Sequence, residues 1–156
     1  MSTFKEHINK EEQTIQEFNE ATGDNIKVLK IMNNGFSTYD FTFDISEKLI
    51  YLTEVKTRTC SSTQYPDTIL ELSKVNRMKV KVQEAITYAV KKKLTRTIRP
   101  GFLVKFTDGL FFFDLHTTNY TTSTKRCPKT SSSDGNNQFT NKKLQHYKIK
   151  DAIKIK

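Results

Sequence analysis

The sequence predicts a single mixed α/β domain, of the α+β kind. Three observations predict it. Apolar residues recur at helical spacing over residues 5–22 and about 75–93. Shorter segments alternate apolar and polar residues, or run apolar between turn signals, as strands do. The 156 residues can fill one hydrophobic core and little more.

The elements follow in chain order. Ile8, Ile15, Phe18 and Ala21 or Thr22 would share one face of a first helix, which Gly23 stops. Residues 26–32, "IKVLKIM", alternate as a strand, and "NNG" at 33–35 is a turn signal. "STYDFTFDISEKLIYLTEVKTR", residues 37–58, reads as two strands joined by a tight turn. Residues 57–67 are polar and contain Pro66, and "TILEL" at 68–72 is a short extended segment. Val75, Met78, Val82, Ala85 or Ile86, and Ala89 form the apolar stripe of a second helix whose other faces are basic. "GFLVKFTDGLFFFDLH" is a hairpin turning at Asp108–Gly109. Residues 117–141, rich in Ser, Thr and Asn, are expected to be a long polar loop, and 142–156 a C-terminal strand region. The core of the single domain, 1–156, would span about residues 5–116. No internal repeat is visible.

Composition narrows the function classes. The chain is 35% hydrophobic and 28% charged, with no apolar run near the ~20 residues that span a bilayer. No membrane partner is expected. The N-terminus has no apolar stretch of the secretory kind, and Cys60 and Cys127 show no metal-ligand spacing. A reducing, cytoplasmic location is the expectation. Low Gly and Pro, with high Lys, Asn, Ile and Thr, point to an AT-rich genome such as a phage's.

Net charge is +9 and uneven. Residues 1–24 are mildly acidic. From Lys74 to Arg99 stand Lys74, Arg77, Lys79, Lys81, Lys91, Lys92, Lys93, Arg96 and Arg99, opposed only by Glu84. Such a patch attracts polyanions, nucleic acid foremost.

The hairpin at 37–58 carries charges among core-like residues. Side chains alternate along a strand, so Asp40, Thr42 and Asp44 share one face, and Leu52, Glu54 and Lys56 share a face on the next strand. A turn centred near Glu47 puts Asp40 across from Glu54. A different register would favour Asp44. Two adjacent carboxylates repel unless a cation sits between them, and a hard divalent ion suits oxygen ligands. Lys56 adds a positive charge beside that ion. A carboxylate pair, a metal and a lysine are the parts needed to hydrolyse a phosphodiester.

Asp40 in "TYDFTF", followed by Glu54-Val55-Lys56 in "YLTEVKTR", resembles the signature of the PD-(D/E)XK nuclease superfamily. The element order also resembles that family's restriction-endonuclease-like core: helix, three-stranded meander, helix, strands, with a mixed central sheet. Tyr39 stands where the family often has Pro. The resemblance implies that Asp40 and Glu54 bind Mg²⁺, with Mn²⁺ able to substitute, and that the Val55 carbonyl is a further ligand. It implies that Lys56 serves the attacking water. Many members add an acidic residue from the first helix; Glu12 is the first candidate here and Glu17 the second. Lys74, opening the second helix, would contact phosphate, and Arg58 would face the nucleic-acid backbone with Arg77, Lys79 and Lys81.

The function so implied is a Mg²⁺-dependent endonuclease on DNA, with RNA left open, giving a 5′-phosphate and a 3′-hydroxyl. Holliday-junction resolvases of this superfamily dimerise to cut two strands, which implies a homodimer here. Two other readings stand beside it. One is a catalytically inactive nucleic-acid-binding module of the same fold. The other is a viral or mobile-element interaction protein, which would show no salt-dependent affinity for nucleic acid.

Overall fold

The computed structural model describes residues 4–32, 37–128 and 139–156. The turn expected at 33–35 and the 129–138 part of the expected loop lie outside these residues, as do the side chains of Ile8 and Cys127. The order is α1 (Phe4–Ala21), β1 (Ile26–Ile31), β2 (Phe41–Ile45), β3 (Leu49–Thr57), β4 (Asp67–Glu71), α2 (Leu72–Lys91), β5 (Thr97–Phe106), β6 (Gly109–Asp114), β7 (Thr121–Pro128), β8 (Phe139–Lys148), a 3₁₀ turn (Ile149–Asp151) and β9 (Ile153–Lys154).

Six strands form the main sheet in the order β1-β2-β3-β5-β6-β9. β3 and β5 run parallel and the other neighbours antiparallel, so the sheet is mixed. A parallel pair needs a crossover, and β4 with α2 supplies it. A second sheet, β4-β8-β7, has three strands.

Strand alternation sorts the core into two layers. On one face of the main sheet, Phe41, Phe43, Tyr51, Val55, Leu103, Leu110 and Phe112 pack with Ile15 and Phe18 of α1. On the other, Phe102, Val104, Phe106, Phe111 and Phe113 pack with Val75 and Met78 of α2, Leu70 of β4 and Tyr147 of β8. Phe18 locks α1 down, its ring 4.8 Å from that of Phe43 and 5.6 Å from that of Phe41. A fully buried side chain of this size contributes about 1.5–3 kcal/mol. Gly101 is needed where β5 crosses this layer, because a Cβ there would meet Phe112 ring atoms at 2.8 Å.

The hairpin register follows from its turn. Ser46 and Glu47 both take positive φ, 53° and 62°, and Lys48 N–H closes the turn on the Ile45 carbonyl at 3.1 Å. From there Ile45 pairs with Leu49, Phe43 with Tyr51 and Phe41 with Thr53. The turn therefore sits near Glu47, as the sequence suggested.

Two expectations are corrected. Residues 121–128 are a strand, not part of a loop, and pair with 139–148 from Thr121–His146 to Pro128–Phe139. Its described side chains are all exposed, so no apolar alternation marked it. α2 also starts at Leu72 rather than near 75, running straight on from β4.

The two turn residues hold left-handed backbone, which costs a non-glycine residue roughly 1–2 kcal/mol. Replacing Ser46–Glu47 by Asn–Gly is expected to raise stability by about 1 kcal/mol, read as a higher urea midpoint. An unchanged or lower midpoint would show that the turn carries no such strain.

Candidate active site

Glu54 belongs to the central strand β3 and is 2% exposed. It pairs across the parallel ladder with Phe102, so its side chain leaves the sheet on the α2 face. A lone carboxylate there would be very costly. Two lysines answer it. Lys56 Nζ is 3.2 Å from Oε1, and Lys74 Nζ is 2.9 Å from Oε2. Lys74 reaches it because α2 begins directly after β4, bringing the helix's first turn over the end of β3. Its ammonium also donates to the Ser37 carbonyl at 3.4 Å. Each Glu54 oxygen thus has an ammonium against it, which neutralises the buried carboxylate.

Asp40 lies one residue before β2. Continuing the Phe41–Thr53 register puts it level with Glu54. Its backbone N–H donates to the Thr53 carbonyl at 2.8 Å, and its Oδ2 accepts the Val55 N–H at 2.7 Å. The side chain thus extends the ladder past the last β2 residue. Burial, then the charge of Glu54, then that of Glu11, push the Asp40 carboxyl up to about 8, against the pull of the Val55 N–H and Lys74. Asp44, the rival position, is buried further along β2, paired with Ile50 and Lys27. Four residues of strand put it about 13 Å from Asp40.

The other expected residues divide. From α1, the charge that reaches Asp40 is that of Glu11. Glu11 stands four residues before Ile15 and seven before Phe18, on the helix's buried side. That spacing was the available signal, and Glu12 is turned ~100° from it. Glu17 is engaged elsewhere, 2.6 Å from Lys105 Nζ. Arg58, expected at a nucleic-acid backbone, is half-buried and donates to the Ile69 carbonyl at 2.7 Å, tying the end of β3 to β4. Burial lowers its guanidinium pKa. Arg77, Lys79 and Lys81 are exposed on α2, with Lys81 3.1 Å from Glu84. Helical spacing sets Arg77 and Lys81 along the Lys74 side, and Lys79 on the other flank of the buried stripe.

Whether these residues fit a divalent ion can be judged from the donors. Among the described residues, no three His, Cys, Asp or Glu side chains stand together as a complete metal cage. Mg²⁺ does not require one. It is commonly held by one or two carboxylates and keeps several waters. Asp40 and Glu54 supply that pair, level on neighbouring strands and close enough for the Glu54 charge to raise the Asp40 carboxyl, though a cation would have to share Glu54 with Lys56 and Lys74. The residues present fit the ion.

The fold is mixed α+β, with two α-helices on a mixed six-stranded sheet. No family model and no curated protein matches the chain. Among solved structures, it is similar to Archaeoglobus fulgidus Hjc, a Holliday junction resolvase from an archaeal hyperthermophile. The two are 15% identical, the match covers 71% of this chain and 77% of that one, and the TM-score is 0.44. No helix among the described residues is long and apolar enough to cross a membrane.

A testable consequence concerns the metal-free protein. Folded Asp40 holds its proton to about 8, whereas in the unfolded chain it ionises near 3.8. Across that window the folded state binds the extra proton, so stability falls as pH rises through it. Asp40→Asn keeps an oxygen for the Val55 N–H and should flatten this fall. Urea melts in EDTA at about pH 5 and about pH 8 measure it, and an equal fall in both proteins would acquit the carboxyl.

Proposed function

We infer that the chain is a Mg²⁺-dependent endonuclease that hydrolyses phosphodiester bonds in DNA. One observation carries the reading: two carboxyl groups level on neighbouring strands, one of them buried between two lysines. Asp40 and Glu54 would hold the ion, with the Val55 carbonyl as a third oxygen. The bound ion would supply Lewis acidity at the phosphate and an acidified water. Lys56, the more exposed of the two lysines, would orient the attacking water. Lys74 would lie against a phosphate oxygen and offset the charge that develops there. Water adds in line at phosphorus and the 3′ oxygen leaves with a proton, giving a 5′-phosphate and a 3′-hydroxyl. One such site cuts one strand, so scission of a duplex would call for two copies of the chain.

A second reading has its own support. Both Glu54 oxygens lie within 3.2 Å of a lysine ammonium, so that carboxylate is neutralised without a metal. A chain resting in that state would bind nucleic acid and cut nothing.

Cleavage of supercoiled, branched and single-stranded DNA separates the two. The parent is expected to cut with Mg²⁺ or Mn²⁺ and to stop with EDTA. Glu54→Gln and Lys56→Ala should each lose at least ~100-fold in rate while still binding DNA. No cleavage by the parent under any metal, or both variants cutting as fast as the parent, would sink the nuclease reading.

A further inference from the structure

The basic residues of α2 are not the only exposed cations near this site. β8 is flanked by β4 and β7 as far as the Glu71–Leu144 pair. Beyond it, β7 and β8 run on alone through five pairs, Thr124–Lys143 to Pro128–Phe139. This two-stranded ribbon is about 14 Å long. It carries Lys125, Arg126, Lys142 and Lys143 and, among its described residues, no acid.

Its physics as a free-standing element is poor. Its described side chains are exposed, apart from half-buried Lys142, so it adds nothing to either core layer. Lys125 stands directly opposite Lys142, and like charges so placed destabilise a strand pair. Lys142 is partly relieved by Glu71, 3.0 Å away. The opposite face carries Thr124, Arg126, Asn141, Lys143 and Phe139, with the Arg126 guanidinium 5.5 Å over the Phe139 ring. Such a ribbon gains most from a polyanion that neutralises both faces.

Its root is firm and close to the carboxylates. Ser123 Oγ is 2.6 Å from His146 Nε2, and His146 Nδ1 is 3.3 Å from Asp67 Oδ2, which joins β7, β8 and β4 in one chain of contacts. Glu71 is paired with Leu144 and comes three residues before Lys74, so the root of the ribbon is one strand spacing plus about one helical turn, ~10 Å of backbone, from the lysine that touches Glu54.

We propose that the β7–β8 ribbon is a second DNA-binding element that grips duplex flanking the bond to be cut. A two-stranded ribbon enters the ~12 Å major groove of B-form DNA, where Arg, Lys and Asn read base edges. The deep, narrow major groove of duplex RNA does not admit it. The position of the cut rests on the nuclease reading; the binding does not.

The test compares the parent with a Lys125→Ala/Arg126→Ala/Lys143→Ala variant of the full chain, with equal melting temperatures as the check on folding. Fluorescence anisotropy in EDTA, over a salt series, reads affinity for a DNA duplex of about 20 base pairs, its single strand and the matching RNA duplex. Removing three cations that displace counterions from the duplex should reduce the slope of log affinity against log salt by up to about 2.7 and weaken duplex DNA binding at least ~10-fold at low salt. An unchanged slope and affinity, or a parent that binds no duplex, overturns the proposal. A loss larger on RNA duplex or single strand than on DNA duplex overturns the choice of duplex DNA. Cleavage with Mg²⁺ is scored in parallel. A parent that cuts, with a variant that binds normally, removes the ribbon and leaves the nuclease. A parent that never cuts, with a variant that has lost binding, removes the nuclease and leaves the ribbon.

Discussion

The constraint on which the rest depends is a carboxylate on the central strand of the main sheet. Glu54 is 2% exposed and follows Thr53, which is wholly buried. Taking such a charge out of water costs several kcal/mol even after relaxation, so the fold must bring cations to it. Lys56 comes from the same strand, two residues on. Lys74 has to come from across the layer, which fixes where α2 begins and how its first turn meets the sheet. The direct β4–α2 junction and the half-buried Arg58 that ties β3 to β4 belong to the same requirement.

On the hairpin side, the turn at Ser46–Glu47 sets the register, and the register brings Asp40 level with Glu54. Burial there, then the charge of Glu54 and then that of Glu11, raise the Asp40 carboxyl. The metal-free site therefore keeps Asp40 protonated up to about 8, while Glu54 is balanced by its lysines. A divalent ion would relieve Asp40 at some expense of the Lys74 contact. This balance distinguishes the arrangement from an ordinary surface ion pair, which stabilises a protein little.

Beyond the site, basic residues gather on two elements that the crossover joins. Arg77 and Lys81 continue the Lys74 side of α2, and the β7–β8 ribbon springs from beside the helix's first residues. Neither adds to the core through these charges, and together they give that end of the molecule a positive field suited to a phosphate backbone.

The two helical stripes and the two faces of the hairpin were legible in the sequence because strand and helix periods are local. Phe41, Phe43, Tyr51 and Val55 alternate with Asp40, Thr42, Leu52, Glu54 and Lys56, and the polar face could be sorted by parity alone. Other features depended on contacts between distant residues. The charge of Glu11 is felt at Asp40 because the packing of Ile15 and Phe18 sets the rotation of α1, and neighbouring residues differ by ~100° around a helix. Glu17 is taken up by Lys105, 88 residues away, and Arg58 by the Ile69 carbonyl. The ribbon left no apolar trace because it buries almost nothing, and its strands recognise each other through backbone bonds that any sequence can make. The sequence by itself determined which side chains share a face, since alternation needs no partner. Only the tertiary structure decided which charges meet, because that depends on how whole elements dock.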